Sequence, residues 1–328
     1  MDRGDIKAMK KTVRAHTNIA LIKYWGKADA KLRLPLMSSL SMTLNAFYTD
    51  TSISKAIDKD IFYLNKKRQT AQQSRRVLNY LSLLKQKFDI NDHLIVESIN
   101  HVPTAAGLAS SSSAFAALAA AFCKYYDINA NPTELSRLAR IGSGSASRSI
   151  FGGFAIWQKG NSDESSYAYP LDEHPQMDLR LLAIELNTQQ KKISSTRGMQ
   201  DAQSSPFFKP WLKRNEFELN QMINAIKNND FTTLGELAEL NANEMHAINL
   251  TAQPEFTYFE PETIRAIKLV EQLRQEGIEC YYTIDAGPNL KVLSQLRNVK
   301  DIIQRFSSEF NNVKIVNASF GPGITYLD

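Results

Sequence analysis

Residues 18–27 read Asn18-Ile19-Ala20-Leu21-Ile22-Lys23-Tyr24-Trp25-Gly26-Lys27, an apolar run that ends in two lysines and two aromatics. A strand bound for a hydrophobic core gains nothing from ammonium groups at its end, because a buried charge needs a partner. The same ending suits the gripping of a small anion. Residues 12–20 carry the β-rich pattern of a strand, so the motif stands where a strand leaves the core. Further polar segments downstream suit the same task, and together they describe an enzyme that acts on a phosphorylated small molecule.

The first of these is Pro103-Thr104-Ala105-Ala106-Gly107-Leu108-Ala109-Ser110-Ser111-Ser112-Ser113. It follows a strand-like run at 94–99 and feeds a helical pattern at 113–126. Free N–H groups and the dipole at a helix start attract phosphate. Small residues let the backbone come close, and serine hydroxyls add donors or a magnesium ligand. A serine-rich capped loop is the alternative. The Gly-Lys-Ser/Thr ending of a Walker A loop is missing, as is a dinucleotide fingerprint.

The second segment, Gly142-Ser143-Gly144-Ser145-Ala146-Ser147-Arg148-Ser149, sets hydroxyl donors beside one guanidinium, which can hold a carboxylate through two parallel bonds. Otherwise it is a Gly/Ser connection. Lys191-Lys192-Ile193-Ser194-Ser195-Thr196-Arg197-Gly198-Met199, taken alone, is a polar loop. Thr283-Ile284-Asp285-Ala286-Gly287-Pro288-Asn289 places one carboxylate at the end of an apolar strand. Asp285 either begins the Gly-Pro turn or faces a cleft as the base for a hydroxyl. Phe320-Gly321-Pro322-Gly323 reads as a hairpin-like turn that brings backbone close to the site.

Around these segments the pattern predicts strands at 12–20, 49–57, 61–64 and 94–99, and helices at 72–88, 113–126 and 132–141. Asn131-Pro132-Thr133-Glu134 reads as an N-cap with proline at the first helical position. A Gly-rich stretch follows at 142–153, then a strand at 154–158, a polar loop at 160–166 and a strand at 179–185. Helices are predicted at 211–227, 231–245, 262–276 and 299–310, with strands at 279–283, 291–293 and 313–316. No internal repeat interrupts this order. The chain is α+β in two parts, 1–186 and 187–328.

Bulk properties narrow the function. The 328-residue chain is 43% hydrophobic and 22% charged, the composition of a soluble globular protein. Its 39 basic and 34 acidic residues leave a net charge of +5, which fits an anionic small-molecule substrate and is too slight to argue for nucleic acid. Lys66-Lys67-Arg68 and Arg75-Arg76 read as solvated faces. Cys123 and Cys280 stand alone, and the five histidines show no metal-ligand spacing, so a reducing, cytoplasmic compartment is expected. The charged residues 1–11 are no signal peptide. The apolar run 114–123 is far shorter than the roughly 20 residues of a membrane span.

Read together, residues 18–27, Met37-Ser38-Ser39-Leu40-Ser41-Met42-Thr43-Leu44, 103–113, 142–153, 194–199 and 283–289 resemble, in order and essentially end to end, the diphosphomevalonate decarboxylase family of the GHMP kinase superfamily. The resemblance implies a GHMP-kinase-like α+β fold with a ribosomal-protein-S5-domain-2-like N-terminal domain and a ferredoxin-like C-terminal domain. ATP and substrate would lie in the cleft between them. It implies phosphorylation of the C3 hydroxyl of mevalonate 5-diphosphate, departure of phosphate, loss of carbon dioxide and formation of isopentenyl diphosphate. Phosphorylation turns a poor leaving group into a good one, and the adjacent carboxylate supplies the electrons of the new double bond.

Carried over by motif position, Asp285 resembles the catalytic aspartate that orients or deprotonates the C3 hydroxyl, and Arg148 the arginine that binds the substrate carboxylate. Lys23 joins them as catalytic. Tyr24, Lys27, Ser143, Ser145, Ser195 and Met199 resemble substrate contacts. Ala106, Gly107, Leu108, Ala109, Ser110, Ser111, Ser112 and Ser113 resemble the ATP phosphate loop, with Ser111 on Mg2+. Lys191 or Lys192 would reach the phosphates from a mobile loop. A homodimer is implied as well. The competing expectations are a superfamily kinase that stops at phosphorylation, a decarboxylase of the monophosphate, and a non-catalytic nucleotide- or RNA-binding protein.

Overall fold

Residues 12–20, expected as a strand, belong to β1 (Thr12–Ile22), which is followed by a separate two-stranded ribbon, β2 (Lys27–Asp29) and β3 (Leu34–Pro35). The computed structural model describes residues 11–102, 110–187 and 192–327. The long β4 (Ser39–Lys55) is followed by β5 (Ile61–Leu64), β6 (Lys67–Arg68) and α1 (Ala71–Lys87). Then come β7 (Leu94–Asn100), α2 (Ser110–Tyr125) and α3 (Pro132–Gly142). A 3-10 helix at Gly144–Ile150 leads to β8 (Phe154–Trp157), β9 (Ala168–Asp172) and β10 (Arg180–Glu185). Four helices follow, α4 (Ser195–Asp201), α5 (Phe208–Lys227), α6 (Phe231–Leu250) and α7 (Pro261–Gln275). The chain ends with β11 (Cys280–Ile284), β12 (Leu290–Ser294), α8 (Leu296–Glu309), β13 (Lys314–Ala318) and β14 (Thr325–Leu327).

Among the described residues the strands form a sheet ordered β14-β1-β4-β7-β5-β6, with β8 on β4 and β9 on β8, and a second sheet ordered β11-β12-β10-β13. The result is a mixed α/β, two-domain architecture. Strand pairing puts Arg180–Glu185 in the second sheet, ahead of residue 187, and returns Thr325–Leu327 to the first.

Three packed interfaces hold these layers. Val13, Ala15, Ile53 and Val96 turn one face of the first sheet onto α1, α2 and α3, where Leu81, Phe115 and Leu138 meet them. The opposite face, with Ile19, Leu21, Leu40 and Phe154, shares a core with α5, α6 and the residues Leu181, Ala183, Tyr281 and Leu293 of the second sheet. The intervening residues Leu182, Ile184, Tyr282 and Val292 face α7 and α8. This strict alternation is the period-two signature of a sheet covered on both faces.

Caps explain where the helices begin. Thr70 with Gln73, and Asn131 with Glu134, form reciprocal capping boxes at α1 and α3, the latter with proline at the first helical turn. Gly235 of α6 shows how tightly the middle layer closes, since a Cβ there would lie 2.0 Å from the Tyr281 ring. Gly235→Ala is therefore expected to lower the melting temperature by several degrees, overpacking of about 1–3 kcal/mol outweighing the gain in helix propensity. Thermal unfolding checks this, and an unchanged or raised midpoint would refute it.

Three expected segments take other forms. Residues 142–153 are not a Gly/Ser loop. They wind into the buried 3-10 helix because Gly144, which lacks a Cβ, lets Tyr24 and Trp157 close within 3 Å of where one would stand, and the Ser147 hydroxyl donates to the Gly144 carbonyl at 2.7 Å. Residues 195–199 open α4, capped by the Ser194 hydroxyl. Phe320–Gly323 is no hairpin. It carries the chain from β13 in one sheet to β14 in the other, with Gly321 N–H donating to Thr43 O at 2.8 Å.

Candidate active site

Lys23 is the first residue after β1, and it is 1% exposed at the seam between the two sheets. Its ammonium has three N–H donors and meets three acceptors: Ala20 O at 2.9 Å, Thr283 Oγ1 at 2.6 Å and Asp285 Oδ1 at 2.8 Å. Asp285 stands just past β11, so each partner of this ion pair comes from a different sheet. Burial pushes the Lys23 ammonium below its ordinary value, against the pull of Asp285. Burial acts on Asp285 in the opposite sense, but Lys23, Lys291 and Arg148 outweigh it and hold the carboxyl below the usual range. Its side chain stays 23% exposed while that of Lys23 is 2% exposed, so a substrate reaches the carboxylate and not the ammonium.

Arg148 lies within electrostatic reach of both and is itself buried. Its Nε donates to Ser41 Oγ at 2.9 Å, Nη1 to Ser39 Oγ and Nη2 to Asn18 Oδ1 at 3.3 Å. Burial brings its pKa down to about 10. Three neutral acceptors fix the orientation of the guanidinium and leave its charge unneutralised, which an anion can exploit. Trp157 lies beneath, 4.6 Å from the Tyr24 ring and 6.0 Å from the Arg148 guanidinium. The Tyr24 hydroxyl is buried without a partner among the described residues, and burial raises its pKa further above the ordinary value.

Nearby, Lys27, Arg33 and Arg76 form a group of cations that no described carboxylate pairs with. Arg33 Nε donates to Ile141 O at 2.6 Å and Arg76 Nη2 to Gly142 O at 3.3 Å, both at the carbonyl end of α3, which favours cations. Burial, then Arg33 and Arg76, lower the Lys27 pKa; burial, then Arg33, bring Arg76 down to about 10. A cavity of about 370 Å³ opens here, lined by Arg33, Arg75, Arg76 and Gly142 among others. From the side of α2, the Ser111 hydroxyl meets Ser143 at 3.1 Å, which meets Ser145 at 3.3 Å. Mutually repelling cations beside a chain of hydroxyls make a site for a multiply charged anion.

Two family models match the chain: the diphosphomevalonate decarboxylase-like N-terminal domain over residues 15–168 and the mevalonate 5-diphosphate decarboxylase C-terminal domain over residues 181–322. The chain is 33% identical to the diphosphomevalonate decarboxylase of Candida albicans, an alignment covering 95% of this chain and 96% of that protein. The chain belongs to the diphosphomevalonate decarboxylase family. Its fold is close to the crystal structure of mevalonate diphosphate decarboxylase from Staphylococcus aureus, with 43% identity, a TM-score of 0.93 and coverage of 97% and 98% of the two chains. It is likewise similar to MDDEF in complex with MVAPP, AMPPCP and magnesium, with 46% identity, a TM-score of 0.92 and coverage of 97% and 99%.

Within this diphosphomevalonate decarboxylase frame the structure gathers Lys23, Tyr24, Lys27, Ser143, Ser145, Arg148 and Asp285 around the seam. The expected ATP-loop positions Ala106, Gly107, Leu108 and Ala109, and also Lys191, lie outside the described residues. Ser110 and Ser111 stand half-buried at the start of α2, but Ser112 and Ser113 are fully buried. The Ser113 hydroxyl is tied to Thr17 at 3.2 Å and Thr49 at 2.8 Å, so it braces the sheet instead of facing the cleft. Met199 packs among Trp25, Met37, Phe208 and Met245, a core residue and not an open contact. Ser195 begins α4 half-buried, near Thr196, whose hydroxyl lies 3.5 Å from Lys27 Nζ.

Sequence reasoning missed Arg33 and the role of Arg76, which had been grouped with a solvated face. Arg76 does keep much exposure, yet its guanidinium sits 4.6 Å over the Phe115 ring beside the hydroxyl chain. The only sequence signal was an arginine pair at the start of a helix that has no acidic residue in its first turn. Asn18, Ser39 and Ser41 were quoted in the right motifs, but their common task of holding Arg148 needs the fold to be seen.

Proposed function

We propose that the protein catalyses ATP-dependent decarboxylation of mevalonate 5-diphosphate, giving isopentenyl diphosphate, ADP, phosphate and carbon dioxide, a step of isoprenoid synthesis by the mevalonate route. The observation that carries this reading is the Lys23–Asp285 ion pair at the seam with the unneutralised Arg148 in reach, in a chain that belongs to this family.

The residues fit Mg-ATP: hydroxyls of Ser110 and Ser111 at the start of α2 and the linked Ser143. Ser110 and Ser111 would hold its phosphates and Ser111 the Mg2+, and Lys191 or Lys192 would reach the phosphates as well. Once bound, Mg-ATP supplies the phosphoryl group that makes the C3 oxygen a leaving group. Asp285 accepts the hydrogen bond, or the proton, of the C3 hydroxyl. Lys23 keeps that carboxylate ionised and aimed. Arg148 binds the substrate carboxylate and releases it as charge drains into the new double bond. Tyr24, Lys27, Ser143, Ser145 and Ser195, with Arg33 and Arg76, bind the diphosphate. Burial of the apolar floor at Trp157 excludes water from the developing positive charge at C3.

We read the two domains as S5-domain-2-like and ferredoxin-like, with the border drawn ahead of Arg180, where strand pairing changes sheet, and not at residue 187. A cytoplasmic homodimer completes the proposal; for the compartment alone, two buried free thiols suit reducing conditions. No described helix is long and apolar enough to cross a membrane.

The deciding experiment counts ADP and released carbon dioxide from carboxyl-labelled mevalonate 5-diphosphate, with the 5-monophosphate in parallel. One carbon dioxide per ADP from the diphosphate alone is expected. ADP without carbon dioxide would make the protein a kinase, and neither product would favour a binding protein. Arg76→Leu is expected to raise KM for the diphosphate roughly 10- to 100-fold while kcat holds, the range for one hydrogen bond to a charged group. An unchanged KM in steady-state kinetics would take Arg76 out of the diphosphate site.

A further inference from the structure

Helix α6 reaches both members of the ion pair through their backbones. Asn241, fully buried, accepts the Lys23 N–H on Oδ1 at 2.7 Å and donates Nδ2 to Glu218 Oε2 on α5 at 2.7 Å. Five residues along the same helix, His246 Nε2 donates to the carbonyl of Ile284, the residue before Asp285, at 3.4 Å. Glu218 is 1% exposed and is held from outside by Arg214, which also bonds Glu244, at 3.0 Å each. The Lys23 N–H comes after the last residue of β1 and so has no partner in that strand's ladder. It needs one, since a buried N–H without a partner is costly.

We propose that Asn241 is a positioning residue for the reaction: anchored by Glu218, it fixes the backbone of Lys23 and thereby the placement of the Lys23 ammonium against Asp285. The proposal rests on the catalytic reading of that pair. Asn suits the place because it accepts from one neighbour and donates to the other with a short side chain that has little freedom. Misplacement of a catalytic group by about 1 Å costs on the order of 100-fold in rate, so a bond that sets one backbone position is worth far more to turnover than to substrate binding.

The test uses the full-length enzyme and two substitutions that keep side-chain shape. Asn241→Asp keeps the acceptor for Lys23 but sets a carboxylate against Glu218. It is expected to lower kcat at least about tenfold with KM changed less than about threefold. Adding Glu218→Gln restores a donor, with the polarity of the pair reversed, and is expected to bring kcat back within about threefold of wild type. Asn241→Leu, which has no acceptor, is expected to lose kcat in both backgrounds. A purely structural role predicts that activity follows melting temperature in every variant and that kcat and KM are not split. That outcome, wild-type kcat in Asn241→Asp, or no recovery in a folded double variant would overturn the proposal. Asp285→Asn is run alongside: if it keeps its turnover, the catalytic reading of the pair fails, whereas its loss together with unchanged Asn241 variants refutes the positioning role alone.

Discussion

Asp285→Asn is expected to lower kcat by about three orders of magnitude while the dissociation constant for the diphosphate substrate changes less than about threefold. General base groups contribute roughly 10²- to 10⁴-fold, and an amide cannot take a proton from a hydroxyl. The substitution also leaves the buried Lys23 ammonium with neutral oxygens alone as partners, those of Ala20, Thr283 and the new amide, and without the counter-charge that opposes its desolvation. Substrate affinity is expected to survive, because under the proposed function Lys27, Arg33 and Arg76 bind the diphosphate and Arg148 the substrate carboxylate. Titration calorimetry with rapid-quench turnover separates the two effects. Because its neighbours hold the Asp285 carboxyl below the ordinary range, it is ionised throughout the neutral range. The acid limb it imposes on kcat/KM then lies below the usual carboxylate pKa. Near-normal turnover in the variant would remove Asp285 from the mechanism.

Arg148→Lys is the second large effect, expected to reduce kcat/KM by about two to three orders of magnitude although the charge is conserved. The guanidinium is oriented by Ser41, Ser39 and Asn18 through three separate nitrogens. A lysine ammonium is a point charge on a flexible stem; it satisfies some of these acceptors but cannot present a planar fork to a carboxylate. The loss should vanish in the binding of a substrate analogue that lacks the carboxylate, measured by calorimetry. Equal losses for both ligands would mean that Arg148 shapes the cleft and does not hold the carboxylate.

Much of this was legible where local chemistry dominates. α1 and α3 announce themselves by helical periodicity, α3 also by its Asn131 N-cap followed by proline, and β10 and β12 by compact β-rich runs. β4 was read only from residue 49, although residues 39–44 alternate serine or threonine with leucine or methionine; the polar half of that alternation is buried too, where Ser39 and Ser41 receive Arg148. α4 is too short for a periodic signal. In the site, Lys23 and Asp285 stood out as charges at the ends of apolar strands, where bulk packing would not place them. Ser113 and Met199 did not follow their motifs into the cleft. A serine hydroxyl buries readily once Thr17 and Thr49 receive it, and a thioether fills core gaps. Arg33 and Arg76 meet at the end of α3, and Asn241 meets Lys23, from elements far apart in sequence, and no local pattern encodes either meeting.

The return of the chain to its own beginning has a consequence for synthesis on the ribosome. Thr325, Tyr326 and Leu327 pair with Arg14, Val13 and Thr12, and Ile324 N–H bonds Ile150 O on the way. Until those last strand residues leave the exit tunnel, β1 is an open edge, the kind of surface that recruits other strands. The face of the first sheet that carries Ile19, Leu21 and Leu40 also waits, because its cover comes from α5, α6 and the second sheet. The strand that leads to Lys23 is thus made well before its edge is closed, and Asp285 is already synthesised when β14 arrives to close it.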